Sequence, residues 1–263
     1  MKKITLFFLA AWAFLQVNAQ KLPNKQEASV RLPSNVKIDG KATEWNNQMR
    51  ADNRNTDFSY TLANNDEELY LVIQTKDRFV FNKIIDRGLT LSLKNPKSGK
   101  NASITFPYNS GKGRLSSSFG MGMITEEKLP EAEIAGYNKM LSDKHKFIKV
   151  EGMEGLDSLV SVYNENGIRA AELFDNDKVY TLEMIVKLKL IGLSANNGTK
   201  ISYKLRVNTV EGAPIVDGNS KMVMMGGGEM SPEQRQEAVA YMTEKVAKMF
   251  GGTEFEGEYT LAK

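Results

Sequence analysis

Ile201, Tyr203, Leu205 and Val207 alternate with Ser202, Lys204, Arg206 and Asn208. A side-chain period of two sends neighbours to opposite faces of a strand, so this segment predicts a strand with one buried and one solvated face. The pattern recurs where Leu89, Leu91 and Leu93 alternate with Thr90, Ser92 and Lys94. It recurs again in Tyr180, Leu182, Met184 and Val186 against Thr181, Glu183 and Lys187, interrupted only by Ile185. Residues 68–74 are apolar on both faces (Leu69, Leu71 and Ile73 against Tyr70 and Val72), which predicts a central strand covered on each side. Residues 58–63 pair with it through the polar link Asn64-Asn65-Asp66-Glu67. Asn176-Asp177 and Asn196-Asn197-Gly198 predict two more hairpin loops. Residues 101–106, 156–163 and 167–174 read as weaker strands, and residues 255–261 as a closing one. Many short strands without regular strand-helix alternation predict an all-β fold, an antiparallel jelly-roll-like β-sandwich.

Two segments break the alternation and are expected to be loop-helix insertions in a single domain covering residues 20–263. In residues 107–146 a Gly/Ser-rich stretch is followed by Pro130 and then by Ile134, Tyr137 and Leu141 at helical spacing. In residues 212–252, Ser231-Pro232-Glu233-Gln234 forms a capping box with Pro in the first turn. Val239, Met242, Val246 and Met249 follow as one apolar stripe, and Gly251-Gly252 ends the helix.

The N-terminus changes where this domain is expected to work. Met1-Lys2-Lys3 is a basic start, Ile4 to Val17 is nearly all apolar, and Val17-Asn18-Ala19 suits signal cleavage, so residues 1–19 predict a signal peptide and a secreted or periplasmic protein. That apolar run is too short to span a bilayer as a helix, and no later stretch is long and apolar enough, so no membrane span is expected in the mature chain. The chain has no cysteine, which excludes disulfides, thiol catalysis, cysteine-ligated metals and a cysteine-linked lipid anchor. The whole chain carries 35 basic and 32 acidic residues, and removal of Lys2 and Lys3 brings them nearly into balance. Nothing in that balance points to nucleic acid.

The segment Val36-Lys37-Ile38-Asp39-Gly40-Lys41-Ala42-Thr43-Glu44-Trp45, followed by Phe58 to Asp77 with its Asn-rich hairpin and Leu69-Tyr70-Leu71 strand, resembles the opening of the family 9 carbohydrate-binding modules and the related DOMON-like domains. The match covers roughly residues 30–95. The resemblance implies a β-sandwich that binds a carbohydrate without catalysis. Read from the residues themselves, Asp39-Gly40 suits a tight turn and Trp45 suits a plug at one end of the sandwich. Asp77 ends a strand, where its carboxylate can satisfy loop amides.

Sugar-binding members of that family rely on late tryptophans, and this chain has no Trp after Trp45. The candidate ligand-binding residues are therefore Arg206 and Asn208, on the polar face of their strand, with Tyr108 and Tyr163 as aromatic platforms. Phe119 and Tyr137 are further candidate platforms. The expected ligand is a carbohydrate or another small molecule. The alternative is a protein partner docking on the Met-rich helical insertion. No catalytic residue is expected, since the single histidine, His145, lies in a polar Asp143-Lys144-His145-Lys146 run that reads as surface. No organic cofactor is expected. Calcium is the one hard ion for which oxygen donors cluster, in Asp52 to Asp57 and Asn64 to Glu67, without the EF-hand spacing. Met121, Met123, Met222, Met224, Met225 and Met230 are soft donors that suit Cu(I), and equally suit irregular packing.

Overall fold

The computed structural model describes residues 21–46, 48–95, 99, 101–109, 129–195, 198–209 and 231–263. The expected signal peptide, both methionine clusters and Phe119 lie outside the described residues. Among the described residues eleven strands form two antiparallel sheets. Sheet A runs in the order β1 (Ala51–Asn53), β2 (Phe58–Asn64), β3 (Glu68–Thr75), β9 (Tyr180–Lys187), β8 (Ile168–Phe174). Sheet B runs β11 (Thr253–Thr260), β10 (Lys200–Val207), β4 (Leu89–Lys94), β5 (Asn101–Phe106), β6 (Phe147–Glu151), β7 (Leu159–Ser161). The expected β-sandwich is the observed one.

Alternation explains the core directly. Phe58, Tyr60 and Leu62 of β2, with Leu69, Leu71 and Ile73 of β3, face Leu89, Leu91 and Leu93 of β4 and Ile201, Tyr203 and Leu205 of β10 in one buried cluster. Strands β3 and β9 are buried on their outer face as well, as the two-sided apolar pattern of residues 68–74 required. A smaller cluster there joins Tyr70, Val72, Ala63 and Ile185 to Leu32, Ala42, Trp45 and Met49 of an N-terminal strap. Trp45 therefore does not plug an end of the sandwich as its sequence context suggested. It lies on the outer face of sheet A, its ring stacked 5.8 Å from Tyr70 and its Nε1 donating to the Tyr70 hydroxyl at 3.3 Å. The doubly apolar β3 leaves an outer face that needs a cover, and the strap supplies it.

The Asp39-Gly40 turn is where the strap is pinned. Gly40 has φ of +81°, and a Cβ there would lie 2.7 Å from the Glu172 carbonyl carbon and the Leu173 Cβ. Gly40→Ala is expected to lower stability by about 2–4 kcal/mol, from left-handed strain and from contact with β8. An unchanged urea midpoint would contradict that placement.

Among the described residues three α-helices interrupt the sheets. α1 (Arg78–Arg87) had no counterpart in the sequence reading; Asp77 caps it by accepting from the Phe79 and Val80 amides, and Gly88 ends it. Its Val80, Phe81, Ile84 and Ile85 are buried. α2 (Glu131–Lys144) and α3 (Pro232–Phe250) fall in the two expected insertions, and α3 begins with the capping box read at Ser231. The loops at Asn64 to Glu67 and at Asn176-Asp177 join paired strands as expected. The hairpin expected at residues 196–198 is not formed, because β9 and β10 belong to different sheets. Asn196 and Asn197 themselves lie outside the described residues.

One open side of the sandwich is closed by residues 26–32. The Gln26 side chain bonds both the amide and the carbonyl of Leu62, at 2.8 Å each, and Asn64 pairs with Val30 and Leu32 along the uncovered half of the β2 edge. Across the gap, Tyr259 of β11 donates to the Val30 carbonyl at 3.0 Å, and Ser29 donates to the Thr260 carbonyl at 2.6 Å.

Candidate functional site

Among the described residues no strap covers the outer face of sheet B, and the same alternation that builds the core fills it with polar side chains. Strand register sets them in lines across the sheet. Glu254, Arg206, Thr90, Thr105, Lys149 and Leu159 form one line through all six strands. Glu256, Lys204, Ser92, Ser103 and Glu151 form the next, and Glu258, Ser202, Lys94 and Asn101 a third. In the first two lines hydroxyls occupy the middle of the face and charges its flanks, and the third puts Lys94 and Asn101 on the central strands. A trough of about 1030 Å³ runs over the second and third lines and over the Glu254, Arg206 and Thr90 end of the first.

The flanking charges are tied to each other. Lys204 pairs with Glu254 at 3.2 Å and Glu256 at 2.8 Å, Arg206 approaches Glu254 at 3.7 Å, and Lys149 pairs with Glu151 at 2.8 Å. Hydrogen bonds that Lys204 donates to Glu256 and Glu254 raise its pKa, and the bond from Lys204 lowers that of Glu256. The Lys149 bond, with a second from Ser103, lowers Glu151 in the same way. In the middle, the Thr90 and Thr105 hydroxyls share a hydrogen bond of 2.8 Å.

Arg206 and Asn208 both line the trough. Arg206 is exposed on the polar face. Asn208 sits past the end of β10, where its amide donates to the Arg87 carbonyl at 2.8 Å and its backbone N–H to Gly88, so it also ties β10 to the end of α1. Tyr108 and Tyr163 lie toward the opposite edge of the sheet. The Tyr108 amide donates to the Phe147 carbonyl, and the Tyr163 hydroxyl accepts from Lys146 at 3.2 Å. Tyr163 is 74% exposed. Phe147, which no motif singled out, is 49% exposed on the outer face of β6, and Leu159 is 42% exposed beside it on β7. The alternation of Phe147, Lys149 and Glu151 against buried Ile148 and Val150 was the signal that would have found it.

Two buried carboxylates anchor the fold behind this face. Glu183 of β9 accepts from the Gly40 amide at 2.7 Å, the Asp39 amide at 3.0 Å and the Tyr70 hydroxyl, so it clamps the strap to sheet A. Burial raises its pKa to about 7 against the pull of those three donors. Glu172 of β8 bonds His145 Nδ1 and accepts from the Tyr180 hydroxyl. His145 is therefore no surface residue: it is 3% exposed at the end of α2, and its charged form has a carboxylate to face. Burial opposes that charge, but Glu172, the Ile85 carbonyl and Asp86 outweigh it and raise the pKa.

The acidic runs considered for calcium serve turns. Asn53 Oδ1 accepts from the Asn55 amide and the Thr56 hydroxyl, Asn65 Oδ1 accepts from the Glu67 and Glu68 amides, and Asp66 pairs with Arg31. Five aspartates line a cleft of about 430 Å³ at one end of sheet A. Of these, Asp77 caps α1 and Asp175 accepts from the Asp177 and Val179 amides. Among the described residues no group of three or more His, Cys, Asp or Glu side chains is disposed to hold a metal ion. None of their helices is long and apolar enough to cross a membrane.

Fold and face together define the class: an antiparallel β-sandwich with one sheet face covered by its own chain and the other, among the described residues, polar and uncovered. No protein-family model matches the chain, and no curated protein matches it. Among solved structures, a family 9 carbohydrate-binding module from Caldicellulosiruptor kristjanssonii in complex with glucose is similar at 13% identity, covering 70% of this chain and 78% of that one, with a TM-score of 0.35.

Proposed function

We propose that the chain is an extracytoplasmic, non-catalytic binding module that holds a carbohydrate or another small polar ligand on the outer face of sheet B. The observation that carries this reading is the ordered field of hydroxyls, Thr90, Ser92 and Ser103, with Thr105 hydrogen-bonded beside them, between ion-paired flanks along a trough of about 1030 Å³. Serine and threonine both donate and accept, which matches the hydroxyls of a sugar, and their fixed spacing on a sheet preorganises them. Arg206 supplies donors at one side of the field. Among the described residues the face carries no assembled nucleophile and base, so retention of the ligand, not turnover, is the role it suits.

The test is isothermal titration against neutral and acidic glycans. The double variant Ser92→Ala, Ser103→Ala is expected to weaken binding about tenfold, as loss of two net hydrogen bonds implies, while its thermal midpoint stays near that of the parent. Flat titrations against every glycan would defeat the reading.

A second reading has its own observation. Over its 19 residues α3 buries only Phe250 among those described, and it exposes Tyr241 at 61%, Met242 at 42% and Met249 at 38%. A protein partner seated on that helix would shield the apolar stripe. Met242→Glu would then abolish co-purification of the partner without changing glycan titrations.

A further inference from the structure

We infer that the outer face of sheet B is built for a neutral, linear oligosaccharide lying across the strands, with Phe147 and Leu159 forming its apolar end. This deepens the carbohydrate reading above and rests on it.

Three observations lead there. The first concerns charge. Four cationic side chains line the trough and are matched by four glutamates, and those of Lys204 and Arg206 already engage the glutamates of β11. An anionic ligand would have to displace these carboxylates and would meet the others, so the face offers it no net attraction. A neutral ligand meets donors and acceptors at no such penalty.

The second concerns extent. The line from Arg206 through Thr90, Thr105 and Lys149 to Leu159 crosses four strand spacings, which at about 4.8 Å each is about 19 Å. That is several times the width of one sugar ring. Polar groups recur at every step as far as Lys149, which a single ring cannot use together.

The third concerns polarity along that line. Hydroxyls dominate on β4 and β5, but on β6 and β7 the same face presents Phe147 and Leu159, each more than two-fifths exposed. Pyranose rings carry hydroxyls at the rim and C–H groups on their faces, so a ring over Phe147 buries apolar surface on both partners. The N–H of Tyr108 on the Phe147 carbonyl fixes the backbone beneath that ring. A ligand of this chemistry has rim hydroxyls over Ser92, Ser103, Thr90 and Thr105 and a ring face over Phe147.

The experiment titrates the full chain with glucose, with its linear oligomers of increasing length, and with an acidic oligouronate. Affinity is expected to rise with oligomer length until the chain spans the face, and the oligouronate is expected to bind more weakly than the neutral oligomer. Phe147→Ala is expected to weaken the longest neutral oligomer about tenfold. Phe147→Trp is expected to preserve or raise oligomer affinity. Because Phe147 is half exposed, both variants keep the fold, which a circular dichroism melt checks. If glucose binds as tightly as its oligomers, or Phe147→Ala changes nothing, or the oligouronate binds best, the inference is overturned while the carbohydrate reading stands. If no glycan binds at all, both are overturned.

Discussion

Glu183→Ala is expected to lose about 3–5 kcal/mol of stability, because it leaves the Gly40 amide, the Asp39 amide and the Tyr70 hydroxyl without an acceptor in a buried site. The loss falls on the strap first. Released at the Asp39-Gly40 turn, residues 30–49 no longer hold Trp45 against Tyr70, so Trp45 fluorescence should shift to the red at a lower urea concentration than the sheet unfolds. Glu183 also carries a pH signature. Its folded pKa of about 7 stands above the ordinary 4.5, so between those values the folded protein holds a proton that the unfolded chain has released. Stability attributable to this group therefore falls as pH rises from about 4.5 to about 7 and is constant beyond. Glu183→Gln, which keeps an acceptor oxygen for the two amides, should lose less than the Ala variant and should flatten this part of the profile. Urea melts of all three proteins across that range check it; parallel profiles would refute the assignment.

The second large effect is expected from Glu172→Gln. That change removes the carboxylate that both His145 and Tyr180 engage inside the sandwich, and stripping one partner from a buried charged pair costs about 3–5 kcal/mol. The chain has a single histidine, so the imidazole proton signal reports this site alone. In the parent protein His145 should titrate above the ordinary value of 6.5. In Glu172→Gln, with burial no longer outweighed, it should titrate below it. The sign for stability follows from linkage: a raised imidazole pKa contributes fully below about 6.5 and is lost as pH climbs through the folded value. Equal titration in both proteins would show that the pair does not exist in solution.

Strands with one wet face were legible because alternation reports burial directly, and β4, β9 and β10 lie where residues 89–93, 180–186 and 201–207 placed them. α1 was hidden for a physical reason. Its apolar residues Val80, Phe81, Ile84 and Ile85 are tightly grouped between two predicted strands, and its cap, Asp77, had been read as the end of β3. Trp45 was misplaced because a sequence shows that an aromatic will be buried, not which face of which sheet it meets. His145 was misplaced for a related reason: its neighbours Asp143, Lys144 and Lys146 are polar, and the carboxylate that draws it inward is 27 residues away in sequence. The polar face of sheet B was half legible. Arg206 and Asn208 were visible from their own strand, whereas the hydroxyl field and Phe147 became a site only once register set β4, β5 and β6 side by side.

The seam at residues 26–32 has a bearing on how the protein comes into being. Ser29 meets Thr260 and Val30 meets Tyr259, while the amide of Ala262 donates to Asn64, over sequence separations of 231, 229 and 198 residues. A chain still emerging from the ribosome cannot make these bonds until residues 259–262 are free. The sandwich is thus fastened last by its most distant partners, a high contact order that favours slow closure after synthesis over piecewise folding during it. Until then the β2 edge stays open to other chains, which makes the interval before closure the time when aggregation is the greatest hazard.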